Sequence, residues 1–308
     1  MTALEFSNVT KTYGAIKALD GVSFAVNRGE MFGVIGPDGA GKTTAIRIAC
    51  GLLRADDGSV AVLGHDPVKD HRHVTGTVGY LSQRFSLYGD LTIDENIAFF
   101  AEVHRVRDYA AARDRLLDMT QLTRFRSRRA DRLSGGMKQK LALACTLVHE
   151  PDVLILDEPT TGVDPVARRE FWKLLSEFLS RGLTIVMATP YLDEAERCGR
   201  VLLLHEGRVL AIDEPASLQS RLAGRLYEVI AATARPPLDA LRRVTGVADA
   251  QSFGDRAHVT FERVPESGAA GELRAQLERD GIQVTSVRPI GASLEDVFIA
   301  VLGEPARE

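Results

Sequence analysis

The chain has 308 residues, 45% of them apolar and 26% charged, with a formal net charge of −4. This balance fits a globular protein of two domains or one large one, and it argues against an overall basic nucleic-acid binder. No apolar run reaches membrane-spanning length, and residues 1–6 lack the charged-then-apolar pattern of a secretion signal, so any work at a membrane is expected from the cytoplasm and through partners.

In chain order, residues 3–9 and 18–26 alternate apolar and polar side chains, through Leu4 and Phe6 and then Val22, Phe24 and Val26. The period of two predicts antiparallel strands with one wet face. Tyr13 lies in the loop between them, beside Gly14. It offers a platform on which a flat ring could stack; taken alone, an ordinary loop tyrosine is the better reading. Residues 31–35 are an apolar run that reads as a buried strand, and residues 44–50 read as a helix stopped by Gly51. Between them, Gly36-Pro37-Asp38-Gly39-Ala40-Gly41-Lys42-Thr43 fits G-x-x-x-x-G-K-[ST], the phosphate-cradling P-loop. Glycines let backbone approach phosphate without a Cβ clash, and free amides at the positive end of a helix dipole face the anion. Lys42 supplies a mobile charge for the β- and γ-phosphate oxygens, and the Thr43 hydroxyl can hold Mg²⁺.

Asp56-Asp57-Gly58 predicts a turn and residues 59–63 a strand. His65, His71 and His73 follow in a polar stretch with Asp66 and Asp70, read as a solvated loop ahead of a metal site. Residues 78–81 are another short strand, ending at Ser82-Gln83, and Gln83 opens a loop that runs to Asp90. Thr92 and Glu95 form a capping box, and helical periodicity then extends to about residue 150. The first helix places Ile97, Phe100 and Val103 on one face; a second, residues 108–120, carries Leu116, Leu117 and Met119. Arg124-Phe125-Arg126-Ser127-Arg128-Arg129 is strongly basic, a run that is more often a solvated loop than a nucleic-acid or lipid contact. Leu133-Ser134-Gly135-Gly136-Met137 opens an apolar helix. Ser134 is a natural cap and the glycines leave first-turn amides bare, which suits an anion, although in isolation it reads equally as a plain helix start.

Residues 153–156 are an apolar strand that delivers Asp157 and Glu158 at its carboxyl end, the ligand edge of an α/β sheet. There Asp157 can bind Mg²⁺ through water, and Glu158 can take a proton from an attacking water. Asp164 caps the next helix, with Pro165 in its first position and Phe171, Leu174, Leu175, Phe178 and Leu179 as its core face. Residues 183–188 form a buried strand ending at Thr189-Pro190-Tyr191. Asp193, Glu194 and Glu196 read as an acidic helix start, residues 201–205 as a strand and Gly207-Arg208 as a hairpin turn. Cys50, Cys145 and Cys198 have no metal-ligand spacing and read as buried, reduced side chains. Composition shifts near residue 222, and the remainder predicts β-α-β-β-α-β plus a terminal helix, the split-βαβ pattern of a small ferredoxin-like domain.

P-loop, then Leu-Ser-Gly-Gly at a helix start, then Leu-Ile-Leu-Asp-Glu-Pro, in that order, closely resembles the nucleotide-binding subunit of ATP-binding cassette (ABC) transporters over about residues 3–220. The resemblance implies an α/β fold: a P-loop, RecA-like core with an antiparallel β subdomain and a helical subdomain at about 91–150, together spanning 1–221, ahead of the α+β domain at 222–308. It implies ATP and Mg²⁺ as ligands. Gly36, Pro37, Asp38, Gly39, Ala40, Gly41, Lys42, Thr43 and Thr44 would surround the phosphates, and Tyr13 would stack on adenine. Thr43, Gln83 and Asp157 would serve the metal. Gln83 would also sense the γ-phosphate beside the catalytic Glu158, while its loop touches a membrane subunit. Leu133, Ser134, Gly135, Gly136 and Met137 would contact ATP held by an opposite subunit, and Asp164 would lie in a loop facing that subunit.

The implied partners are integral membrane permease subunits and a second cassette, identical or not, with no nucleic acid. The implied place is peripheral, on the cytoplasmic face of a bacterial inner membrane. The tail, with Ser293-Leu294-Glu295-Asp296-Val297-Phe298, resembles the C-terminal extension of daunorubicin/multidrug-type exporter ATPases. Residues 81–88, together with Asp38, are similar to bacterial multidrug exporters that pair two non-identical cassettes. An importer ATPase, or a non-transport ABC ATPase acting on DNA or ribosomes, stands as the alternative.

Three positions depart from the family pattern. Asp38 stands where asparagine is usual, and a carboxylate near phosphates is unfavourable unless it points away or pairs with a cation. Met137 replaces glutamine. Pro190 occupies the switch-histidine position, where proline offers neither a side-chain nor a backbone donor to a γ-phosphate. The site on this chain's own P-loop is therefore expected to bind ATP and hydrolyse it slowly, while residues 133–137 complete a competent site on a partner.

Overall fold

The computed structural model describes residues 1–83, 87–232, 236–266 and 268–303. Of the stretch 81–88 cited for the exporter resemblance, Arg84, Phe85 and Ser86 lie outside the described residues. The chain divides into two compact units, Met1–Ile212 and Asp213–Glu308, so the division falls ahead of the compositional shift expected at 222.

In the first unit, β1 (Thr2–Tyr13) and β2 (Ile16–Asn27) pair antiparallel and bury alternate side chains. β3 (Met31–Ile35) is buried at every position and leads through the P-loop into α1 (Lys42–Ala49). β4 (Asp57–Val62) pairs with β1, giving a three-stranded antiparallel sheet in the order β2-β1-β4. The histidine-rich stretch corrects the expected loop, because residues from His71 onward form α2 (His71–Thr77), with Val74 buried beneath it. His65 and His73 stack at 3.8 Å, and His65 pairs with Asp70 at 3.5 Å.

β5 (Val78–Leu81) is followed by α3 (Ile93–Val103), whose start carries the reciprocal Thr92/Glu95 capping box. Val103 is 58% exposed and so leaves the core face it was expected to share with Ile97. α4 (Ala110–Met119) and α5 (Gly135–Leu147) complete the helical part. Within the basic run between them, Arg126 pairs with Asp94 and Asp114 and Arg129 with Asp131, while Arg124 and Arg128 flank the Phe125 ring.

β6 (Val153–Asp157), α6 (Pro165–Ser180), β7 (Thr184–Thr189), α7 (Leu192–Ala195), β8 (Arg200–His205) and β9 (Arg208–Asp213) follow. The second sheet has the order β5-β6-β7-β3-β8-β9. β5, β6, β7, β3 and β8 run parallel, and β3, β6 and β7 are buried throughout, as continuous apolar strands covered on both faces must be. Phe6, Phe24 and Phe32 stack in succession at 4.5 and 5.6 Å, joining the antiparallel sheet to the parallel one in a single core. The register aligns Ile35 with Thr189 and Asp157 with Ala188, so the P-loop, the acidic pair and the Pro190 segment all leave the sheet at one edge.

The second unit contains α8 (Pro215–Ser220), β10 (Leu226–Ala231), α9 (Leu238–Arg242), β11 (Val247–Phe253), β12 (Arg256–Phe261), α10 (Ala269–Arg279), β13 (Val284–Pro289) and α11 (Leu294–Gly303). Its four strands form an antiparallel sheet in the order β11-β12-β10-β13, around a core of its own that includes Val229, Leu241, Val259, Leu273 and Leu277. No helix among the described residues is long and apolar enough to cross a membrane.

Candidate nucleotide site

The P-loop cradle is shaped by close backbone approach. A Cβ on Gly36 would lie 2.1 Å from the Leu204 carbonyl oxygen, and one on Gly41 would lie 2.3 Å from that of Ala18. Gly41 also has φ 107°, in the left-handed region that disfavours side chains. Among the described residues, nothing fills the space where a Gly39 side chain would project, and no side chain caps the amino terminus of α1. The result is a glycine-rich loop that leads into the amino terminus of α1, an arrangement that suits an anion.

Lys42 is buried, with 4% exposure. Its Nζ donates to the carbonyls of Gly36 at 2.8 Å and Pro37 at 3.0 Å, and lies 3.4 Å from Glu158 Oε1. A buried ammonium persists only with such partners. Glu158 Oε2 accepts from the Gln83 side-chain amide at 2.8 Å. Thr43 Oγ1 donates to Asp157 Oδ1 at 3.0 Å. Burial pushes the Asp157 carboxyl above its usual range, and the neighbouring Glu158 charge adds to this against the pull of the Thr43 hydroxyl. Asp38 is the exception in the loop: its side chain is 94% exposed, 4.0 Å from Lys42 Nζ, and directed to solvent.

Hydroxyl and carboxylate oxygens side by side are the hard donors that Mg²⁺ prefers. Among the described residues, no group of three or more His, Cys, Asp or Glu side chains could hold a metal alone. The Thr43–Asp157 pair therefore suits an ion that draws its other ligands from phosphate and water. Glycine cradle, buried lysine and oxygen pair together fit a Mg²⁺-triphosphate.

Among the described residues, neither Tyr13 nor residues 133–137 hydrogen-bond to this cluster. Tyr13 ends β1 and is 49% exposed, with Lys11 Nζ 5.7 Å from its ring centroid. Ser134 caps α5, accepting from the Met137 amide at 3.3 Å, and Leu133 is buried. Gly135 stands in open space, while Gly136 packs so closely on α6 that a Cβ would lie 2.6 Å from Ala167 Cβ. Asp164 caps α6 through the amides of Val166 and Ala167.

Two polar residues carry more than their sequence context suggested. Tyr80 on β5 points its hydroxyl at Asp157 Oδ2, 3.4 Å away; burial, then the Asp157 charge, push its pKa up to about 12. Glu194, expected only as an acidic helix start, is buried with 1% exposure on a helix of four residues.

The ABC transporter family model matches residues 19–161. The chain is 36% identical, over 99% of its length and 98% of the relative's, to Nod factor export ATP-binding protein I of Burkholderia lata. The chain belongs to the ABC transporter ATPase family. This cassette is also 40% identical, across 90% of its own length, to the probable multidrug ABC transporter ATP-binding protein YbhF of Escherichia coli K12, of which it spans about half, 48%. In solved structures, the ABC cassette MJ0796, in a dimeric post-hydrolysis state bound to ADP and Pi, superposes with a TM-score of 0.59 at 27% identity, covering 68% of this chain and 98% of that one.

Proposed function

We propose that this chain is the ATP-binding and ATP-hydrolysing subunit of an exporter-type ABC transporter. It pairs head to tail with a second cassette and drives integral membrane permease subunits from the cytoplasmic face of a bacterial inner membrane. The observation that carries this reading is the meeting of Lys42, Thr43, Gln83, Asp157 and Glu158 at one sheet edge. The names of the relatives, a probable multidrug transporter and a Nod factor exporter, support export of small molecules. The dimeric cassette with ADP and Pi supports paired action.

In this reading Lys42 exchanges its contacts with the Gly36 and Pro37 carbonyls for β- and γ-phosphate oxygens. The amides of residues 39–44 surround the same oxygens, and Tyr13 stacks on adenine. Thr43, Asp157 and Gln83 would hold Mg²⁺. When bound, Mg²⁺ offsets the charge of the transferring phosphoryl group. Glu158 accepts the proton of the attacking water, with Gln83 fixing the direction of its carboxylate. Residues 133–137 bring the amino terminus of α5 to ATP on the partner cassette, and Asp164, which caps α6, lies in the loop that faces it. ATP binds the closed pair better than the open one, so it shifts that equilibrium, and hydrolysis releases it.

Pro190 has no donor for the γ-phosphate, which supports slow turnover at this chain's own site within an asymmetric pair. Asp38, turned to solvent, adds little repulsion. In the second unit, the order β-α-β-β-α-β and the sheet order β11-β12-β10-β13 support a ferredoxin-like accessory module.

The test is ATP binding and turnover by the purified chain. Tight Mg²⁺-dependent binding with weak turnover is expected. Failure to bind ATP overturns the reading. Robust turnover by the chain alone, abolished in Glu158→Gln, overturns its asymmetric part.

A further inference from the structure

We propose that Glu194 is a positioning residue for Glu158, fastening the Pro190 segment to the loop that follows the base. The contacts are geometric; the consequence for hydrolysis rests on the ATP-site reading above. Glu194 Oε1 accepts a hydrogen bond from Thr160 Oγ1, and Oε2 accepts one from Thr189 Oγ1 at 2.8 Å. Thr160 is two residues beyond Glu158, and Thr189 immediately precedes Pro190. The Thr189 hydroxyl also accepts the Tyr191 amide at 3.1 Å, so the backbone on both sides of Pro190 is tied to the same carboxylate.

Other buried groups reinforce the link. Arg168 of α6 brings Nε within 3.6 Å of Glu194 Oε1, and its guanidinium lies 4.9 Å from the Tyr191 ring centroid. That Nε is buried and has no hydrogen-bond partner among the described residues; the Glu194 carboxylate, with Asp193 3.8 Å from the far end of the guanidinium, compensates its charge. From the other side Gln139, fully buried on α5, donates to the Pro159 carbonyl. Residues 159 and 160 are thus gripped from α5 and α7 at once. α5 is also the helix that residues 133–137 open, so the network connects the two ends of a paired-cassette arrangement within one chain.

Glu158 has φ 50°, a left-handed conformation that a glutamate keeps only where its surroundings over-determine it. Its amide donates to the Ala188 carbonyl at 2.9 Å, and the Thr160 anchor constrains the chain two residues on. Losing the anchor should therefore loosen the base and leave the P-loop, which Glu194 does not touch, as it was. A proline at position 190 makes this the more telling, because the segment then has no side-chain donor of its own there.

The experiment compares the full chain with Glu194→Gln and Thr189→Val by hydrogen–deuterium exchange, fluorescent-ATP titration and steady-state ATPase assay. Exchange across residues 158–163 is expected to rise about tenfold in Glu194→Gln and less in Thr189→Val. Exchange across residues 36–49 and ATP affinity should stay within about twofold of the unmodified chain, and kcat should fall with KM unchanged. Unchanged exchange at 158–163 in a folded variant, or a rise spread over the whole first unit, overturns the proposal. Should Glu194→Gln fail to fold, Thr189→Val decides by the same criterion. An unmodified chain that does not bind ATP overturns the nucleotide-site reading instead, while localised exchange at 158–163 still supports the link from Glu194.

Discussion

The Gln83 side-chain amide donates to Glu158 Oε2 across 2.8 Å, while Lys42 Nζ lies 3.4 Å from the other oxygen of that carboxylate. One group from the end of β5 and one from the start of α1 thus converge on the end of β6. Each partner has a separable consequence. On the proposed reading, Glu158→Gln removes the proton acceptor and a negative charge beside the phosphates. ATP should bind at least as tightly, and turnover should fall by about 10²–10⁴. Fluorescent-ATP titration beside phosphate release checks both. Lys42→Ala is expected to abolish binding itself.

Pro190 follows Thr189 at the same sheet edge. Pro190→His is expected to raise turnover by at least about tenfold, because a side-chain donor is restored where the chain has none. Phosphate release from Pro190→His and from the unmodified chain, measured at saturating ATP, provides the check. Equal rates would show that the slow step lies elsewhere.

Gly41 allows no side chain. In Gly41→Ala the new methyl meets the Ala18 carbonyl at 2.3 Å in a backbone held at φ 107°. Steric and conformational costs act together, so a loss of about 2–4 kcal/mol is expected, read as a lower denaturant midpoint. Gly39→Ala faces open space and keeps only the conformational part, at φ 81°. It should cost about 1–2 kcal/mol.

His104 and His149 stack face to face at 3.7 Å. Burial, followed by the charge of His104, lowers the His149 pKa from 6.5 to about 4, and burial lowers that of His104 as well. A depressed histidine is neutral in the fold and charges on unfolding, so its contribution is present above pH 6.5. It is lost as pH falls from about 6.5 toward 4. Discounted for partial exposure, the loss from His149 is about 1–2 kcal/mol. In His149→Phe, the drop in melting temperature between pH 7 and pH 4.5 should be smaller than in the unmodified chain. An identical drop would exclude this pair as its source.

The phosphate cradle, the capped start of α5 and the acidic end of β6 were all legible in consecutive residues. Each depends on a local requirement: glycines where backbone must approach closely, a hydroxyl before a helix, an unbroken apolar run for a strand covered on both faces. Thr92 and Glu95 likewise announced their capping box four residues at a stretch. Pro190 is different: its meaning as a missing donor comes from the family resemblance, not from its own neighbours.

Glu194 was not legible. Its sequence neighbours make it a surface helix-start acid, whereas its partners come from positions 160, 168 and 189. Tyr80 meets Asp157 only because β5 lies beside β6 in the parallel sheet. His71 and His73 read as polar loop because one buried residue, Val74, is all that anchors their helix. The sequence by itself determined where glycines, a lysine, a hydroxyl and two acids stand at the spacing that suits phosphate, metal and proton transfer, because that pattern belongs to residue types at fixed local positions. Only the tertiary structure decided which polar groups are buried together and which strand ends share an edge, because burial and partnership arise from packing between segments far apart in the chain.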